Sequence, residues 1–118
     1  MSLLATQLIG FGAGGPPPFS LVSTAAAYPA LGQQTTHSFG SLSTGTPDEY
    51  RHIVVVLLSY STVGGSPTIT GITLDGNAMT AVASTEIASS TSWYGRIFIL
   101  SWPTGTTATF VGSASANT

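Results

Sequence analysis

The sequence predicts an all-β protein, an antiparallel β-sandwich of jelly-roll or immunoglobulin type with an extended N-terminal arm. The first observation behind this is a pair of continuous apolar runs, Ile53–Leu58 and Ile97–Leu100, whose β-branched residues favour strands. The second is Asp75-Gly76, a dipeptide typical of the two-residue turn in a β-hairpin. The third is that about seven short strand-like segments follow one another at regular spacing, with no helical periodicity between them.

The stretch expected at the centre of the fold is Arg51–Tyr60. Its six consecutive apolar residues, Ile53–Leu58, include three valines and one isoleucine. Because a half-exposed strand would alternate polar and apolar residues, this run predicts a strand buried on both faces. The run is too short to span a membrane. A second central strand is predicted over Trp93–Trp102, which contains the other apolar run.

The remaining elements follow from weaker alternation and from the turn residues between the alternating segments. Phe39 and Leu42 are the apolar anchors of one such segment, and Pro103 fixes the first central position of a tight turn. In chain order, the predicted strands are Phe19–Ala27, Gln33–Ser43, Ile69–Leu74, Asn77–Thr85 and Thr106–Val111, the turns are Thr44–Glu49, Asp75-Gly76 and Pro103–Gly105, and a loop covers Ala88–Ser92.

Residues 1–18 are predicted to form an extended Gly- and Pro-rich arm that precedes a sandwich domain of residues 19–118. Pro16–Pro18 impose an extended polyproline segment. The arm has no second element of its own to bury its large apolar side chains, which are Leu3, Leu4, Leu8, Ile9 and Phe11. Two alternatives stay open: the arm folds back on its own sandwich, or it docks on another subunit. We expect the second, through main-chain pairing with a neighbour's sheet edge.

Three glycines of the arm, Gly10, Gly12 and Gly15, match the spacing of a dinucleotide-binding loop. That motif needs a helix that begins at its third glycine and holds the pyrophosphate at its N-terminus. Pro16–Pro18 leave no room for such a helix beyond its first turn. No cofactor is therefore expected.

Composition excludes several classes of partner. Charged residues make up 5% of the chain, lysine is absent, and the net charge is −2. Nucleic acids and anionic membrane surfaces both attract clustered Lys and Arg, so neither partner is expected. The chain also has no cysteine, which excludes a disulfide framework. Such a surface fits either a small secreted domain or a subunit covered in a permanent assembly. The second alternative is favoured, and a homo-oligomer is expected.

The residues that could carry chemistry form no recognisable constellation. Asp48, Glu49 and His52 lie close in sequence, but adjacent carboxylates in a turn are usually solvated, and the spacing is not that of a known metal site. Gly64–Pro67 resembles the start of a nucleophile elbow, yet the last glycine is missing and Pro67 prevents the helix. Catalytic, cofactor-binding and metal sites are all predicted to be absent, and the protein is predicted not to be an enzyme.

Three aromatic residues, Trp93, Tyr94 and Trp102, are the candidates for facing a ligand, because aromatic rings stack on sugars. At the ends of a central strand, such rings more often pack in the core or at its rim, so both alternatives stay open. Arg96 lies in the same strand and needs a partner if it is buried. Glu86 is the candidate partner.

Between Asp48 and Val111 the chain resembles a β-sandwich module that recurs in virion proteins of tailed bacteriophages. The matching motifs are Arg-His-Ile-Val-Val-Val from Arg51, Ile-Thr-Leu-Asp-Gly-Asn-Ala-Met-Thr-Ala-Val from Ile72, the strand Tyr94–Trp102, and Pro-Thr-Gly-Thr from Pro103. The N-terminal Leu-Leu-Ala-Thr-Gln-Leu-Ile-Gly-Phe-Gly-Ala-Gly-Gly is similar to the start of some phage structural proteins. The motifs consist of turn chemistry and strand pattern, and they cover a little over half of the chain.

This resemblance implies a non-enzymatic structural component of a bacteriophage particle, a decoration or fibre-anchoring subunit of the virion attached through its N-terminal arm. The implied partners are other virion proteins of the capsid, neck or tail. The alternative is a receptor- or carbohydrate-binding β-sandwich of a tail fibre or surface adhesin. The family's module usually continues for one or more strands beyond the point where this sequence ends. We therefore expect either a sandwich closed by a neighbour or a fragment of a longer fibre-like protein.

Overall fold

The computed structural model describes residues 2–9, 20–27, 34–60, 68–83, 87–89 and 93–115, with side chains described for residues 34–60, 68–83 and 94–115. Every regular element in these residues is a β-strand, which confirms the all-β class. In chain order the strands are β1 (Ser2–Ile9), β2 (Ser20–Ala27), β3 (Thr36–Ser43), β4 (His52–Tyr60), β5 (Ile69–Leu74), β6 (Asn77–Ala78), β7 (Thr80–Ala81), β8 (Ile87–Ser89), β9 (Trp93–Ser101) and β10 (Thr107–Ala114).

The strands form two antiparallel sheets. The first sheet has the order β2-β1-β4-β9-β7, with β8 also paired to β9, and the second has the order β3-β10-β5-β6. β4 and β9 pair along their whole lengths, from His52 opposite Ser101 to Tyr60 opposite Trp93. The two strands predicted to be central are therefore neighbours in the interior of the first sheet.

One hydrophobic core joins the two sheets. Alternate residues of each strand supply it, as the period of two in a β-strand requires. Its members are at most 7% exposed. They are Ile53, Val55, Leu57, Tyr94 and Phe98 from the first sheet, Phe39, Ile69, Ile72, Leu74, Ala108 and Phe110 from the second, and Met79 from the connection between them.

β4 is buried on one face only, which corrects the prediction of burial on both faces. Val55 and Leu57 are 0% exposed, whereas Leu58 is 38% exposed. Val54 and Val56, on the same side of the strand as Leu58, are partly exposed. Among the described strands, β4 contacts its sheet neighbours β1 and β9 and, across the core, β5 of the second sheet. Because β5 packs on one side of β4, one side of the apolar run faces the core and the other side faces away from it.

The hairpin predicted at Asp75-Gly76 is confirmed. The φ angles of these residues are 46° and 80°, and positive φ at both positions is what a type I′ turn requires. The turn joins β5 to β6, with Leu74 opposite Asn77. Asp75 also holds β10, because its Oδ1 accepts a hydrogen bond from the main-chain N–H of Thr109 at 2.7 Å.

The predicted return strand Asn77–Thr85 is divided between the sheets. β6 pairs with β5 in the second sheet, whereas β7 pairs with β9 in the first. Met79, between them, is 7% exposed, and its N–H donates to the carbonyl oxygen of Ile72 at 3.0 Å. The loop predicted over Ala88–Ser92 is wrong at its start, because Ile87–Ser89 pairs with β9 as β8.

The N-terminal segment Ser2–Ile9 is a strand of the first sheet. β1 pairs with β4 on one side, from Ser2 opposite Leu58 to Leu8 opposite His52, and with β2 on the other. The sequence predicts an arm without a partner element of its own, whereas Ser2–Ile9 has one on each side. A buried interior strand such as β4 needs main-chain partners along both edges, and β1 supplies one of them. Residues 10–19, with Phe11 and Pro16–Pro18, lie outside the described residues.

Replacing Val55 by aspartate is expected to abolish folding, whereas the same change at Val54 is expected to leave a folded domain. Val55 is 0% exposed, and an unpaired buried carboxylate costs several kcal/mol, a large share of the roughly 5–15 kcal/mol that stabilises a domain. A carboxylate at position 54 stays hydrated on the outer face. Thermal unfolding followed by far-UV circular dichroism compares the two variants. A cooperative melt of Val55→Asp near that of the unaltered protein would contradict the assignment of the core face.

Candidate functional site

The candidate site is the face of the first sheet that points away from the core. We call its apolar part the outer face and define it by six side chains, which are Val54, Val56, Leu58 and Tyr60 of β4 and Ile97 and Ile99 of β9. The exposed polar residues His52, Ser101 and Thr80 border it on the same side of the sheet. The register places Val54 opposite Ile99 and Val56 opposite Ile97. Directly opposite residues of an antiparallel pair project to the same side of the sheet. Four β-branched side chains therefore form two adjacent cross-strand pairs.

The outer face is apolar where a solvated sheet face is normally polar. Leu58 is 38% and Tyr60 is 42% exposed, and the other four side chains are partly exposed. Antiparallel sheets with one solvated face usually alternate apolar residues inward with polar residues outward. Leu58 stands opposite Gly95, which has no side chain to pack against it. Contiguous exposed apolar surface of this kind marks an interaction site.

No charged residue of the described part of the chain lies on the outer face. Asp48 and Glu49 lie in the turn before β4, and Asp75 lies in the turn between β5 and β6. Arg51 is fully buried, and Arg96 stands opposite the core residue Leu57. The outer face can therefore bind through van der Waals contact and burial of apolar surface, without ion pairs.

The start of β4 is fixed by Arg51, the residue immediately before the strand. Its side chain is 0% exposed. The guanidinium donates to five main-chain carbonyl oxygens: Nε to Trp102, Nη1 to Thr44 (3.1 Å) and Gly45 (3.2 Å), and Nη2 to Thr104 and Gly105 (2.9 Å). Arg51 thereby joins the turn between β3 and β4 to the turn between β9 and β10.

Main-chain hydrogen bonds also hold the backbone of Arg51 between the same two turns. Arg51 N–H donates to the carbonyl of Asp48 at 3.1 Å, and Trp102 N–H donates to the carbonyl of Arg51 at 3.0 Å. Desolvation lowers the pKa of Arg51, and the negative charge of Asp48 opposes that change. An arginine nevertheless keeps its charge in proteins. The inside of this end of the fold therefore holds a positive charge that carbonyl dipoles stabilise.

The described residues include four of the five predicted arm residues, as backbone positions in β1. Their register partners are Leu57 for Leu3, Val56 for Leu4, His52 for Leu8 and Ser20 for Ile9. The fifth, Phe11, lies outside the described residues. The segment predicted to attach the chain to a neighbour thus lies directly beside the strand that carries most of the outer face.

The candidate ligand-facing aromatics are not brought to one surface. Tyr94 is 7% exposed and belongs to the core, and Trp102 packs against that core from beyond the end of β9. The two residues stand at opposite ends of β9, about 26 Å apart along the strand. One sugar ring cannot stack on both. The side chain of Trp93 lies outside the described residues. For Tyr94 and Trp102, the structure favours the alternative of packing in the core and at its rim.

Two of the residues considered as metal ligands, Asp48 and His52, lie within hydrogen-bonding distance of the backbone of Tyr50. Oδ1 of Asp48 accepts a hydrogen bond from Tyr50 N–H at 2.9 Å, and Nδ1 of His52 lies 2.9 Å from the carbonyl oxygen of Tyr50. Within the described ranges, no three His, Cys, Asp or Glu residues are grouped closely enough to hold a metal ion.

Arg96 contacts the opposite sheet and a neighbouring side chain of its own strand. Nη1 donates to the carbonyl oxygen of Ile69 at 3.5 Å, and the guanidinium carbon lies 5.8 Å from the centre of the Phe98 ring. A cation over an aromatic ring at this distance is attracted by the electrons of the ring. Glu86, the predicted partner, lies outside the described residues.

Comparisons of the chain with protein-family models, with curated proteins and with solved structures found no match. In the described part of the chain, no helix is long and apolar enough to cross a membrane.

Sequence reasoning missed both the outer face and the role of Arg51. A continuous apolar run is equally typical of a strand buried on both faces, so the run alone could not reveal an exposed side. The available signal was the presence of two such runs, Ile53–Leu58 and Ile97–Leu100, in one chain of 118 residues. For Arg51, the signal was an arginine between a Pro-Asp-Glu turn and an apolar strand.

Replacing Arg51 by lysine is expected to lower the free energy of unfolding by about 3 kcal/mol or more. An ammonium has three donors and cannot serve five carbonyl oxygens, and each buried polar group left unpaired costs about 1–3 kcal/mol. Urea unfolding measures the loss. The matched control is Arg96→Lys, at a partly exposed arginine that donates to the carbonyl oxygen of Ile69 at 3.5 Å, and it is expected to cost less than Arg51→Lys. Equal losses for the two variants would contradict the special role of Arg51.

Proposed function

We propose that this chain is a non-enzymatic structural subunit of a bacteriophage particle, of the decoration or fibre-anchoring type, and that it works by associating with other virion proteins. The observation that carries the proposal is the outer face, with six apolar side chains and no charge on an interior strand pair. Contiguous exposed apolar surface of this kind is typical of a protein–protein interaction site. The sequence resemblance between Asp48 and Val111 supplies the phage context.

We further propose that the two sheets form an antiparallel β-sandwich of jelly-roll or immunoglobulin type. Two observations support this. Residues of both sheets share one core, and the chain crosses from one sheet to the other at Met79. In a sandwich each sheet keeps one face in the core and turns the other outward. That arrangement makes the outer face available to a partner.

The composition of the chain supports an assembled role. Only 5% of the residues are charged, and there is no lysine. A soluble monomer usually relies on a charged surface with a net charge well away from zero to stay dispersed. A subunit that is surrounded by neighbours does not need this protection, because its apolar and hydroxyl-bearing surface is covered in the particle.

Attachment through the N-terminal segment is the second part of the proposal. Ser2–Ile9 pairs with β4 by antiparallel main-chain hydrogen bonds, and these bonds do not depend on which copy supplies the segment. The same segment of a neighbour fits the place beside β4. The sequence predicts that Pro16–Pro18 act as a stiff spacer after that strand, and these three residues lie outside the described part of the structure. Exchange of an identical element between copies is a low-cost route to assembly.

The proposal predicts that the chain is a fixed component of phage particles. Particles purified from cells that produce the phage encoding this sequence are expected to contain it in constant ratio to the major capsid protein, because a structural subunit occupies defined positions. Quantitative mass spectrometry of independent particle preparations measures the ratio. Absence from washed particles, or a ratio that varies between preparations, would overturn the proposal.

The exchange of β1 is tested with a pair of cysteines in a chain that has none. Thr6 and Val54 are register partners, so Thr6→Cys with Val54→Cys is expected to form a disulfide. In particles, exchange places the two cysteines on different copies, and non-reducing electrophoresis shows linked chains. A disulfide confined to single chains would show that the segment covers its own domain. Thr6→Cys with Thr70→Cys is the control, since Thr70 lies on β5 of the other sheet and no disulfide is expected.

A further inference from the structure

We infer that the partner of the outer face is a second copy of this chain, packed face to face around a twofold axis. This inference rests on the proposed function and deepens it by naming what covers the face. Three properties of the outer face carry it: its lack of charge, its regular apolar relief, and the area of the sheet to which it belongs.

The lack of charge selects a partner of the same kind. None of the charged residues in the described part of the chain lies on the outer face, so the face has no charge for a charged partner to complement. When two identical outer faces meet, no like charges are brought together and no charged group is desolvated. Steering by opposite charge, which distinguishes many unlike partners, is absent here. Apolar burial is therefore sufficient to hold two identical faces together, without any charge to match.

The regular spacing of side chains on the outer face suits the packing of one sheet on another. Val54 with Ile99 and Val56 with Ile97 form two neighbouring rows of β-branched side chains. Two sheets of this kind pack about 10 Å apart, with strands about 30° from parallel, when side chains of both faces interdigitate. A twofold axis makes the contact isologous, so each copy presents the same rows to the other. The contact closes on itself and buries both faces at once.

The area is sufficient for a stable pair. The first sheet has the order β2-β1-β4-β9-β7. Across its whole width the sheet has five strand positions, which are β2, β1, β4, β9 and the edge beside β9 that the short strands β7 and β8 share. With positions about 4.8 Å apart and about seven residues of about 3.3 Å along each, the outward side of the sheet covers about 550 Å². Two copies together then bury about 1,100 Å², which exceeds the roughly 1,000 Å² expected of a specific interface. The interface is of modest size, so the pair is expected to dissociate on dilution and to be reinforced by other contacts in a particle.

The experiment compares two variants that add the same charge in different places. Leu58→Asp puts a carboxylate on the outer face at a position that is 38% exposed, so the isolated chain can keep it hydrated. Thr70→Asp puts one on β5 of the second sheet, at an exposed position. Sedimentation equilibrium of the full-length purified chain and of both variants measures the dimer dissociation constant. Thermal unfolding checks that the two variants are equally folded.

The unaltered chain and Thr70→Asp are expected to form dimers with the same dissociation constant. Leu58→Asp is expected to weaken the dimer at least about tenfold, because closing the interface would bury an unpaired carboxylate. Weak encounters between proteins have dissociation constants in the millimolar range, so a specific dimer is expected to form at about 100 µM. If the unaltered chain is monomeric at that concentration, the inference is overturned. A dimer that survives Leu58→Asp is held elsewhere, for instance by exchange of β1, and would also overturn it.

A second measurement separates this inference from the proposed function. The Leu58→Asp and Thr70→Asp variants are incorporated into particles, and their copy numbers are compared. A chain that is present in particles at fixed ratio yet monomeric in solution overturns face-to-face pairing and leaves the structural role intact. If that monomeric chain also loses its place in the particle through Leu58→Asp, the outer face binds a different virion protein.

Discussion

The buried guanidinium of Arg51 is the interaction on which the rest of the described structure depends. A charge that is 0% exposed remains in a folded protein only when its donors are all engaged. Here the acceptors are carbonyl oxygens of two turns far apart in sequence, one before β4 and one after β9. The same hydrogen bonds satisfy carbonyl groups that the turns leave without ladder partners. Because β4 begins and β9 ends at this point, Arg51 fixes the register of the strand pair that carries the outer face.

That register has a direct consequence for function. A shift of β4 by one residue would exchange its two faces, and Val54 and Val56 would replace Val55 and Leu57 in the core. Because both sets are apolar, hydrophobicity alone discriminates poorly between the two registers. Arg51 opposes such a shift, since a displaced β4 would take its guanidinium away from the carbonyl oxygens of Thr44 and Gly105 to which it donates. A strand that is apolar on both sides thus gains the specificity of its register from a polar anchor.

The sequence predicted the class of the fold, most strand positions and the Asp75-Gly76 turn, because each of these depends on local properties. Ile69–Leu74 was predicted with its observed limits, and the hairpin needs positive φ at two adjacent residues, which Asp-Gly supplies. The burial of β4 could not be predicted, since it depends on how many elements cover the sheet. The division of the return strand at Met79 was also hidden, because the alternation of side chains continues through it. The position of Tyr94 in the core follows from the β4–β9 register, which local pattern does not contain.

A chain with no lysine and few charges must limit unspecific association by other means, and the edges of its sheets show how. Exposed strand edges are usually protected by charges, short strands or bulges. β6, β7 and β8, at edge positions in the two sheets, have two or three residues each. The longer edge strands β2 and β3 each contain an extra residue relative to their partner strands, and in β3 it lies next to Gly40, whose φ is 72°. Such bulges twist an edge and interrupt its row of hydrogen-bonding groups. Pairing along the edges is therefore discouraged without charge, while the outer face, which lies away from those edges, stays available for contact.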